Sequence, residues 1–340
     1  MRSLYISKHG GPDVLDVRDA ADPVPGPGEV RVRIEACGLN FAEVSARVGL
    51  YPDAPKPPCV LGYEAAGVVD QLGEGVDDLA IGTRVVCMKR FGAHADVLCT
   101  ARALVVEIPD EMSFDDAAAL PVNYLTAFHM LFVVANLRPK QTLLLHMAAG
   151  GVGVAVLQLA RTVEDVTIFG TASGPKHDFI RDLGCNHPID YRTADYGAEV
   201  MRLTGGKGVD LILDPLGGKD WKRNYKLLRP VGKLIVFGFA NAVQGEKRNM
   251  LKVVHQLMST PLFTPLSLMD SNRCVAGVNM GHLWDELELL SWELAKVIEL
   301  YREGHVRPHV DATFPFSQAA EAHRYIQGRK NVGKVVLHPD

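Results

Sequence analysis

The chain has 340 residues, of which 47% are hydrophobic and 22% are charged, and its formal net charge is −4. This length exceeds one typical domain, so we expect two domains of a globular protein. The negative charge and the lack of a long basic run give no reason to expect a nucleic-acid partner. The six cysteines are scattered without close pairing, which predicts reduced thiols and a cytoplasmic protein.

Two stretches bear on export and membranes. The first residues, Met1 to Tyr5, lack the apolar core of a signal peptide. Residues 117–137 are largely apolar, but they include Pro121, Asn123 and further polar side chains. We therefore predict a buried helix there and no membrane span.

The first third of the chain has the pattern of short strands broken by proline and glycine. A turn rich in both residues at 23–28 precedes residues 29–34, where polar and apolar side chains alternate with a period of two. Similar stretches, bounded by glycines, lie at 60–72 and 83–106. Together they predict a β-rich, barrel-like domain.

From about residue 125, apolar runs alternate with amphipathic helical stretches. Continuous apolar strands separated by helices are typical of a parallel sheet that is covered on both faces, as in a doubly wound α/β fold. The predicted strands are 142–146, 166–169, 209–213, 234–237 and 274–278.

The last part of the chain predicts a helix at 285–303 and then strand, helix and strand over 312–337. The final strand has no obvious place in the parallel sheet. We therefore expect it to return to the β-rich domain, which would then be discontinuous. The predicted boundaries are 1–124 and 282–340 for that domain and 125–281 for the α/β domain.

A glycine-rich turn joins the first α/β strand to its helix. Residues 148–153 match the G-x-G-x-x-G fingerprint of dinucleotide sites, with Ala148 in the first glycine position. The helix N-terminus would offer N–H groups and a positive dipole end to the phosphates. The alternative is a tight turn without a ligand, which the strand–helix units that follow disfavour. The predicted phosphate-binding residues are Gly150, Gly151, Val152 and Gly153.

The end of the second strand indicates which dinucleotide is bound. NAD sites usually have an acidic residue there for the ribose 2′-hydroxyl, but residues 170–176 contain no carboxylate. Ser173 by hydrogen bonding and Lys176 by charge could instead meet a 2′-phosphate. The alternative for Lys176 is a solvated surface lysine. NADPH is thus favoured over NADH.

The chain resembles the medium-chain dehydrogenase/reductases and, within them, the quinone oxidoreductase group. Residues 141–161 match the signature of that group at Leu144, Gly153, Gln158 and Arg161. The chain is also similar to the vesicle amine transport protein branch of the group. That similarity is carried by residues 146–153, 170–173, 187–192, 213–218, 245–249 and 331–334.

The resemblance implies a GroES-like barrel domain and a Rossmann domain that binds NADPH, with homodimers formed through the Rossmann domains. It places Ser173, Lys176 and Tyr191 near the 2′-phosphate, and Thr171 belongs to the same stretch. The residues that it implies at the nicotinamide end are Asn40, Thr126, Phe237, Asn279 and Asn331.

Zinc-dependent alcohol dehydrogenases of the same superfamily hold their metal with cysteine and histidine at two positions where this chain has Asn40 and Tyr63. A run of four closely spaced cysteines for structural zinc is missing as well. We therefore expect no metal. Without that Lewis acid, the favoured hydride acceptors are quinones and α,β-unsaturated carbonyls, which delocalise the developing negative charge.

Three residues are predicted to act on the substrate. Asn40 and Tyr51 would donate hydrogen bonds to the developing oxyanion. Tyr63 would face the substrate from the former zinc-ligand position. Residues 40–51 resemble the active-site stretch of the group, with Glu43 in place of the commoner aspartate. The alternative for each tyrosine is a packing residue with a satisfied hydroxyl.

Two other functions compete with an NADPH-dependent quinone or enone oxidoreductase. One is a pathway-specific ene reductase or reductive cyclase that acts on a polyene or enone of a natural-product route. The other is a non-catalytic nucleotide-binding protein of trafficking or regulation. The intact cofactor turn favours catalysis, and no chemistry is assigned to residues 245–272.

Overall fold

The computed structural model describes residues 1–243, 245–246 and 248–340. Lys247, part of the stretch 245–249 that resembles the vesicle amine transport proteins, lies outside the described residues. The chain divides into two compact units. The first unit comprises Met1–Leu125, Gly245–Arg248 and Met280–Asp340, and the second comprises Thr126–Gln244 and Asn249–Asn279.

The strands of both units are numbered in chain order. They are β1 (Arg2–Ile6), β2 (Leu15–Asp19), β3 (Glu29–Leu39), β4 (Cys59–Val60), β5 (Glu64–Leu72), β6 (Arg84–Met88), β7 (Val97–Ala101), β8 (Val105–Glu107), β9 (Thr142–Leu145), β10 (Thr167–Ala172), β11 (His187–Asp190), β12 (Val209–Asp214), β13 (Leu228–Val236), β14 (Cys274–Gly277), β15 (Val310–Pro315) and β16 (Lys334–His338).

The helices are numbered in the same way. They are α1 (Phe41–Arg47), α2 (Phe114–Ala119), α3 (Pro121–Phe128), α4 (Gly151–Ala160), α5 (His177–Asp182), α6 (Tyr196–Leu203), α7 (Lys219–Leu227), α8 (Met250–Met258), α9 (Pro265–Ser271), α10 (Leu287–Arg302) and α11 (Ala319–Gln327).

The first unit contains a small sheet with strand order β2-β1-β4 and a larger one with order β15-β16-β3-β5-β6-β8, in which β7 also pairs with β3. The alternation predicted for residues 29–34 places Val30, Val32 and Ile34 in the core. The C-terminal strand β16 pairs antiparallel with β3, with Val336 opposite Gly38. The predicted return of the C-terminal segment to the β-rich domain is confirmed.

The second unit contains one parallel sheet with strand order β11-β10-β9-β12-β13-β14. This is the 3-2-1-4-5-6 order of a Rossmann fold. The central strand β9 buries Leu143, Leu144 and Leu145 completely. A strand between two neighbours and two helical layers needs such a continuous apolar run. The predicted fold class, a GroES-like barrel domain with a Rossmann domain, is therefore confirmed.

The apolar stretch 117–137 differs from the single buried helix that was predicted. Helix α2 ends at Ala119, α3 begins at Pro121, and a π-helical turn spans His129–Val134. Proline has no N–H to donate to the preceding turn, so it starts a new helix rather than continuing the old one. In the described parts of the chain, no helix is long and apolar enough to cross a membrane.

Candidate active site

The glycine-rich turn lies between β9 and α4 in the second unit. Gly150 is the extended N-cap residue of α4. A Cβ atom on Gly153 would lie 2.5 Å from the carbonyl oxygens of both Met147 and Ala148. Only glycine therefore lets α4 pack this closely against the turn. The free N–H groups of the first turn of α4 give the cradle that a dinucleotide pyrophosphate needs.

Ala148, which replaces the first glycine of the fingerprint, is completely buried. Its methyl group is accommodated because its neighbour on β10 is Gly170. A Cβ atom on Gly170 would lie 3.0 Å from the Ala148 methyl carbon and 2.6 Å from the Cys185 sulfur. The turn keeps its shape because the space needed by the extra methyl group is left empty on the adjacent strand.

Thr171 supports the turn from β10. Its hydroxyl accepts a hydrogen bond from the Met147 N–H at 3.3 Å, and its carbonyl accepts one from the Ala148 N–H at 3.0 Å. Met147 itself has a positive φ of 55°, a conformation that costs energy in a residue with a side chain. Thr171, predicted as a cofactor residue, thus holds the turn in place from behind.

A buried polar chain continues from Thr171. The His146 ring lies 3.1 Å from the Thr171 hydroxyl and accepts a hydrogen bond from the Asn224 amide at 2.9 Å. The same Asn224 nitrogen donates to Asp214 at 2.6 Å. Burial lowers the pKa of His146 and raises the pKa of Asp214. These hydrogen-bonded side chains join the ends of β9, β10 and β12 to α7.

The residues predicted at the 2′-phosphate follow the ends of two paired strands. Ser173 leaves β10 directly before the 3₁₀ turn that contains Lys176, and Tyr191 leaves β11. Ala172 and Asp190 are partners in the parallel register, so these exits are adjacent. Asp190 accepts hydrogen bonds from the Gly174 N–H at 2.8 Å and the Arg192 N–H at 2.9 Å.

Asp190 was not singled out by the sequence, although it is the acidic group nearest in the chain to these exits. The Arg192 and Gly174 N–H groups lower the pKa of its carboxyl. The carboxylate therefore shapes the loop that begins at Ser173, a role that needs the strand pairing to be recognised. The basic side chain of Arg192, directly after Tyr191, adds positive charge beside the same exit.

Of the residues predicted at the nicotinamide end, three belong to the second unit. Phe237 follows β13 and donates its N–H to the Asp214 carbonyl at 3.1 Å, and Asn279 follows β14. The carboxyl ends of β13 and β14 lie side by side, with Val236 opposite Gly277. Thr126 is a buried residue of α3.

In the first unit, Asn40 lies in a buried cluster of charged side chains. Its amide nitrogen donates to Glu64 at 2.8 Å and to Glu43 at 3.4 Å. Its amide oxygen accepts from the Lys334 ammonium at 2.6 Å, and Lys334 also forms an ion pair with Glu64. The amide nitrogen of Asn40 is therefore engaged by two carboxyl groups. Its predicted role as an oxyanion donor stays a prediction.

The two carboxyl groups of this cluster differ in their hydrogen-bond and ion-pair partners. Glu64 has the Lys334 ammonium and the Val122 N–H, at 2.6 Å, as donors. Glu43 accepts from the Asn40 N–H at 3.0 Å but forms no ion pair with any cation among the described residues. Burial raises the pKa of Glu43 to about 8, and the nearby Glu64 charge adds to that effect. At neutral pH Glu43 is therefore mostly protonated.

Tyr63 is the centre of an aromatic cluster in the same unit, formed with Tyr51, Phe91 and Trp284. The Tyr63 ring centroid lies 6.5 Å from Tyr51, 4.8 Å from Phe91 and 6.2 Å from Trp284. Burial raises the pKa of both tyrosines, so both phenols keep their protons at neutral pH. The structure thus brings together two of the three residues predicted to act on the substrate.

Asn331, the remaining residue predicted at the nicotinamide end, precedes β16. Its side-chain amide donates to the Gly333 carbonyl at 2.9 Å and so shapes the turn into the strand. Lys334, three residues later, reaches Asn40. Nothing in the linear sequence indicates that residues 294 positions apart meet, so the partners of Asn40 were missed.

The residues at the two zinc-ligand positions do not fit zinc. The Asn40 amide is held by two carboxyl groups and an ammonium, and the Tyr63 phenol is protonated and packed among aromatic rings. Zinc in this superfamily needs thiolate, imidazole or carboxylate ligands in a group of three. Within the described ranges, no group of three or more His, Cys, Asp or Glu side chains is placed to hold a metal ion.

Comparison with known proteins agrees with this architecture. An alcohol dehydrogenase GroES-like domain model matches residues 26–110, and a zinc-binding dehydrogenase model matches residues 183–337. The human synaptic vesicle membrane protein VAT-1 homolog is 46% identical over 341 residues, covering 100% of this chain and 86% of that protein. The chain belongs to the medium-chain dehydrogenase/reductase superfamily, in the group of the quinone oxidoreductases and VAT-1 homologues.

Two further relatives have names that describe an activity or a bound molecule. The 2-haloacrylate reductase of a Burkholderia species is 32% identical, over 99% of this chain and 98% of that protein. The crystal structure of Escherichia coli quinone oxidoreductase complexed with NADPH has 27% sequence identity and a TM-score of 0.88, and the match covers 100% of both chains.

Proposed function

We propose that this protein is a zinc-independent oxidoreductase that uses NADPH to reduce a quinone or an α,β-unsaturated carbonyl. The observation that carries the proposal is the turn between β9 and α4, where Gly153 lies against two carbonyl oxygens and lets α4 begin directly after the turn, with its first N–H groups free for a pyrophosphate. The Escherichia coli quinone oxidoreductase and the Burkholderia 2-haloacrylate reductase support the same class of reaction by their names.

NADPH, when bound, supplies a hydride. The residues of the chain would bind the dinucleotide and stabilise the charge that develops on the substrate. Gly150, Gly151, Val152 and Gly153 would hold the pyrophosphate. Because the phenols of Tyr51 and Tyr63 keep their protons, they are suited to donate hydrogen bonds to an oxyanion. Protonated Glu43 adds no negative charge near them at neutral pH.

The test is a screen of the purified, metal-analysed protein for NADPH oxidation with quinones, enones and simple aldehydes. We expect turnover with the conjugated acceptors, and about tenfold or greater loss of kcat in Tyr63→Phe. Tyr5→Phe, which removes a phenol from strand β1 of the same unit, is the matched control and should keep full activity. Zinc-dependent oxidation of alcohols, or no turnover with any conjugated acceptor, would contradict the proposal.

We also propose that Ser173 and Lys176 select NADPH over NADH. Lys176→Ala removes a positive charge after β10 and should weaken NADPH binding at least tenfold while leaving NADH binding unchanged. Lys207→Ala removes the same charge near the amino end of β12 and serves as the control. Calorimetric titration of both dinucleotides decides the point, and an unchanged preference in Lys176→Ala would refute it.

A further inference from the structure

The order of strands in the parallel sheet reverses between β9 and β12, which is the topological switch point of the second unit. In the order β11-β10-β9-β12-β13-β14, three strands lie on each side of that point. In a Rossmann fold each group of three strands binds one half of a dinucleotide, and the ligand lies across the crevice outside the carboxyl ends of the strands. Both halves of NADPH can therefore bind together only if the loops of the two groups keep a fixed spacing.

A buried polar side chain contacts the loop on each side of the switch point. On the side of β9, the His146 ring lies 3.1 Å from the Thr171 hydroxyl, which accepts the N–H of Met147, directly before the glycine-rich turn. On the side of β12, the Asp214 carboxyl group accepts the N–H of Leu216 in the loop that follows the strand.

The amide nitrogen of Asn224, on α7, connects the two sides. It donates to the Nε2 atom of His146 at 2.9 Å and to the carboxyl group of Asp214 at 2.6 Å. All three side chains belong to residues that are at most 2% exposed. We call His146, Asn224 and Asp214 the switch-point bridge, because they join the first half of the sheet to the second.

The bridge requires one arrangement of its protons. Asp214 otherwise accepts from backbone N–H groups, so the Asn224 amide turns its nitrogen, and not its oxygen, towards that carboxyl group. Because the same nitrogen meets Nε2 of His146, Nε2 accepts and the ring proton lies on Nδ1, towards Thr171. Burial lowers the pKa of His146, which keeps the ring neutral at neutral pH.

Stability alone does not account for an amide at position 224. The Asn224 side-chain oxygen is buried and has no hydrogen-bond partner among the described residues, and an unsatisfied buried acceptor costs free energy. An apolar side chain of the same size would avoid that cost. Only the amide nitrogen, however, can hold His146 and Asp214 at the same time.

We propose that the switch-point bridge positions the dinucleotide, so that His146, Asn224 and Asp214 are positioning residues for NADPH. They hold the glycine-rich turn and the loop after β12 (215–218) at the spacing that one NADPH molecule requires, and they act on the cofactor through those loops. This inference rests on the proposed function, because it concerns the cofactor of the same reaction.

The first test compares a ligand that spans both halves of the site with one that fills a single half. NADPH and adenosine 2′,5′-bisphosphate are titrated by calorimetry. Asn224→Leu should weaken NADPH binding about tenfold and change adenosine 2′,5′-bisphosphate binding less than about twofold. The smaller ligand is spared because Thr171 still supports the turn through Met147 and Ala148. His146→Leu, at the other end of the bridge, should show the same pattern.

Thr142→Val is the matched control. Thr142 and Asp210 join the same two strands near their amino ends, where the Thr142 hydroxyl donates to Asp210 at 2.8 Å. Valine removes this link, which should lower the Tm but leave both affinities within about twofold of the wild-type values. Equal losses of both affinities in Asn224→Leu, or no loss of either, would overturn the inference.

The second test uses the wild-type protein without cofactor and so does not depend on a variant that folds. Labelling with ¹⁵N-histidine shows which ring nitrogen carries the proton, and contacts of the Nδ1 proton with Thr171 assign His146. We expect a neutral His146 ring with its proton on Nδ1, whereas the exposed His9 should exchange between both tautomers. A proton on Nε2 of His146 would overturn the inference, because the Asn224 nitrogen could not then donate to it.

The two proposals fail in different ways. NADPH binding that depends on the bridge, without oxidation of NADPH by any acceptor, would overturn the proposed function and support the bridge. Turnover of quinones or enones, together with equal losses of both affinities in Asn224→Leu, would support the oxidoreductase and overturn the bridge.

Discussion

Glu43 lies fully buried at the start of α1, and burial raises the pKa of its carboxyl to about 8 from an ordinary value of 4.5. Between these two pH values the folded protein holds a proton that the unfolded chain has lost. The stability associated with this group is therefore fully present below about pH 4.5 and is lost as the pH rises through about 8.

Glu43→Gln tests this at the scale of one residue. The variant keeps an oxygen that can accept from the Asn40 N–H but cannot ionise. Relative to the variant, the wild-type protein should lose on the order of 3 to 5 kcal/mol of unfolding free energy between pH 5 and pH 9. Urea unfolding at several pH values measures the difference. Glu35→Gln, at an exposed position of β3, should give parallel curves, and parallel curves for Glu43→Gln would disprove the raised pKa.

At the scale of an element, the turn between β9 and α4 can be tested by substituting one of its glycines. In Gly153→Ala the new Cβ would meet two backbone carbonyl oxygens at 2.5 Å, which cannot move without shifting α4. We expect a cost of about 1 to 3 kcal/mol and a fall in Tm of roughly 3 °C or more, together with weaker NADPH binding.

Gly150→Ala is the matched substitution, because its Cβ would meet only the Met147 carbonyl oxygen, at 3.3 Å, and its φ of −80° suits alanine. The protein without cofactor should keep its Tm within about 1 °C, whereas NADPH affinity should fall because the methyl group occupies space needed by the pyrophosphate. Differential scanning calorimetry and titration separate the two effects. Equal losses of Tm in both variants would show that Gly153 has no special packing role.

The same elements show how far the sequence predicts the structure. The strand–turn–helix from β9 to α4 is local, so its apolar run and glycine spacing are enough to predict it. The break between α2 and α3 is also local, and Pro121 signals it. The cluster of Asn40, Glu64 and Lys334 could not be predicted, because its members meet only after β16 has paired with β3.

The packing of the aromatic rings around Tyr63 could not be predicted from the sequence for a related reason. The sequence singles out Tyr63 by the zinc-ligand position that it occupies. It allows either a role at the substrate or the role of a packing residue with a satisfied hydroxyl. The Tyr63 hydroxyl interacts with that of Tyr51, and Trp284, which stacks on Tyr63, gave no signal in the sequence. Their contact depends on two segments more than 200 residues apart in the chain.

At the scale of the whole molecule, the second unit exposes an unusual number of apolar side chains on α8, α9 and the loop between them. Leu251, Met258 and Leu262 are each more than 80% exposed. The last strand of the parallel sheet, β14, follows this segment directly. Exposed apolar residues next to a sheet edge are typical of a surface that pairs with another chain.

We therefore expect this face to carry the homodimer contact that the family resemblance implies. Leu262→Lys places a charge where the partner would pack, so sedimentation velocity should show a monomer at concentrations where the wild-type protein is a dimer. Ile81→Lys makes the same change at an exposed apolar residue of the first unit and should remain dimeric. A dimer that survives Leu262→Lys but dissociates in Ile81→Lys would place the contact on the first unit, because the introduced charge is unfavourable only where it is desolvated.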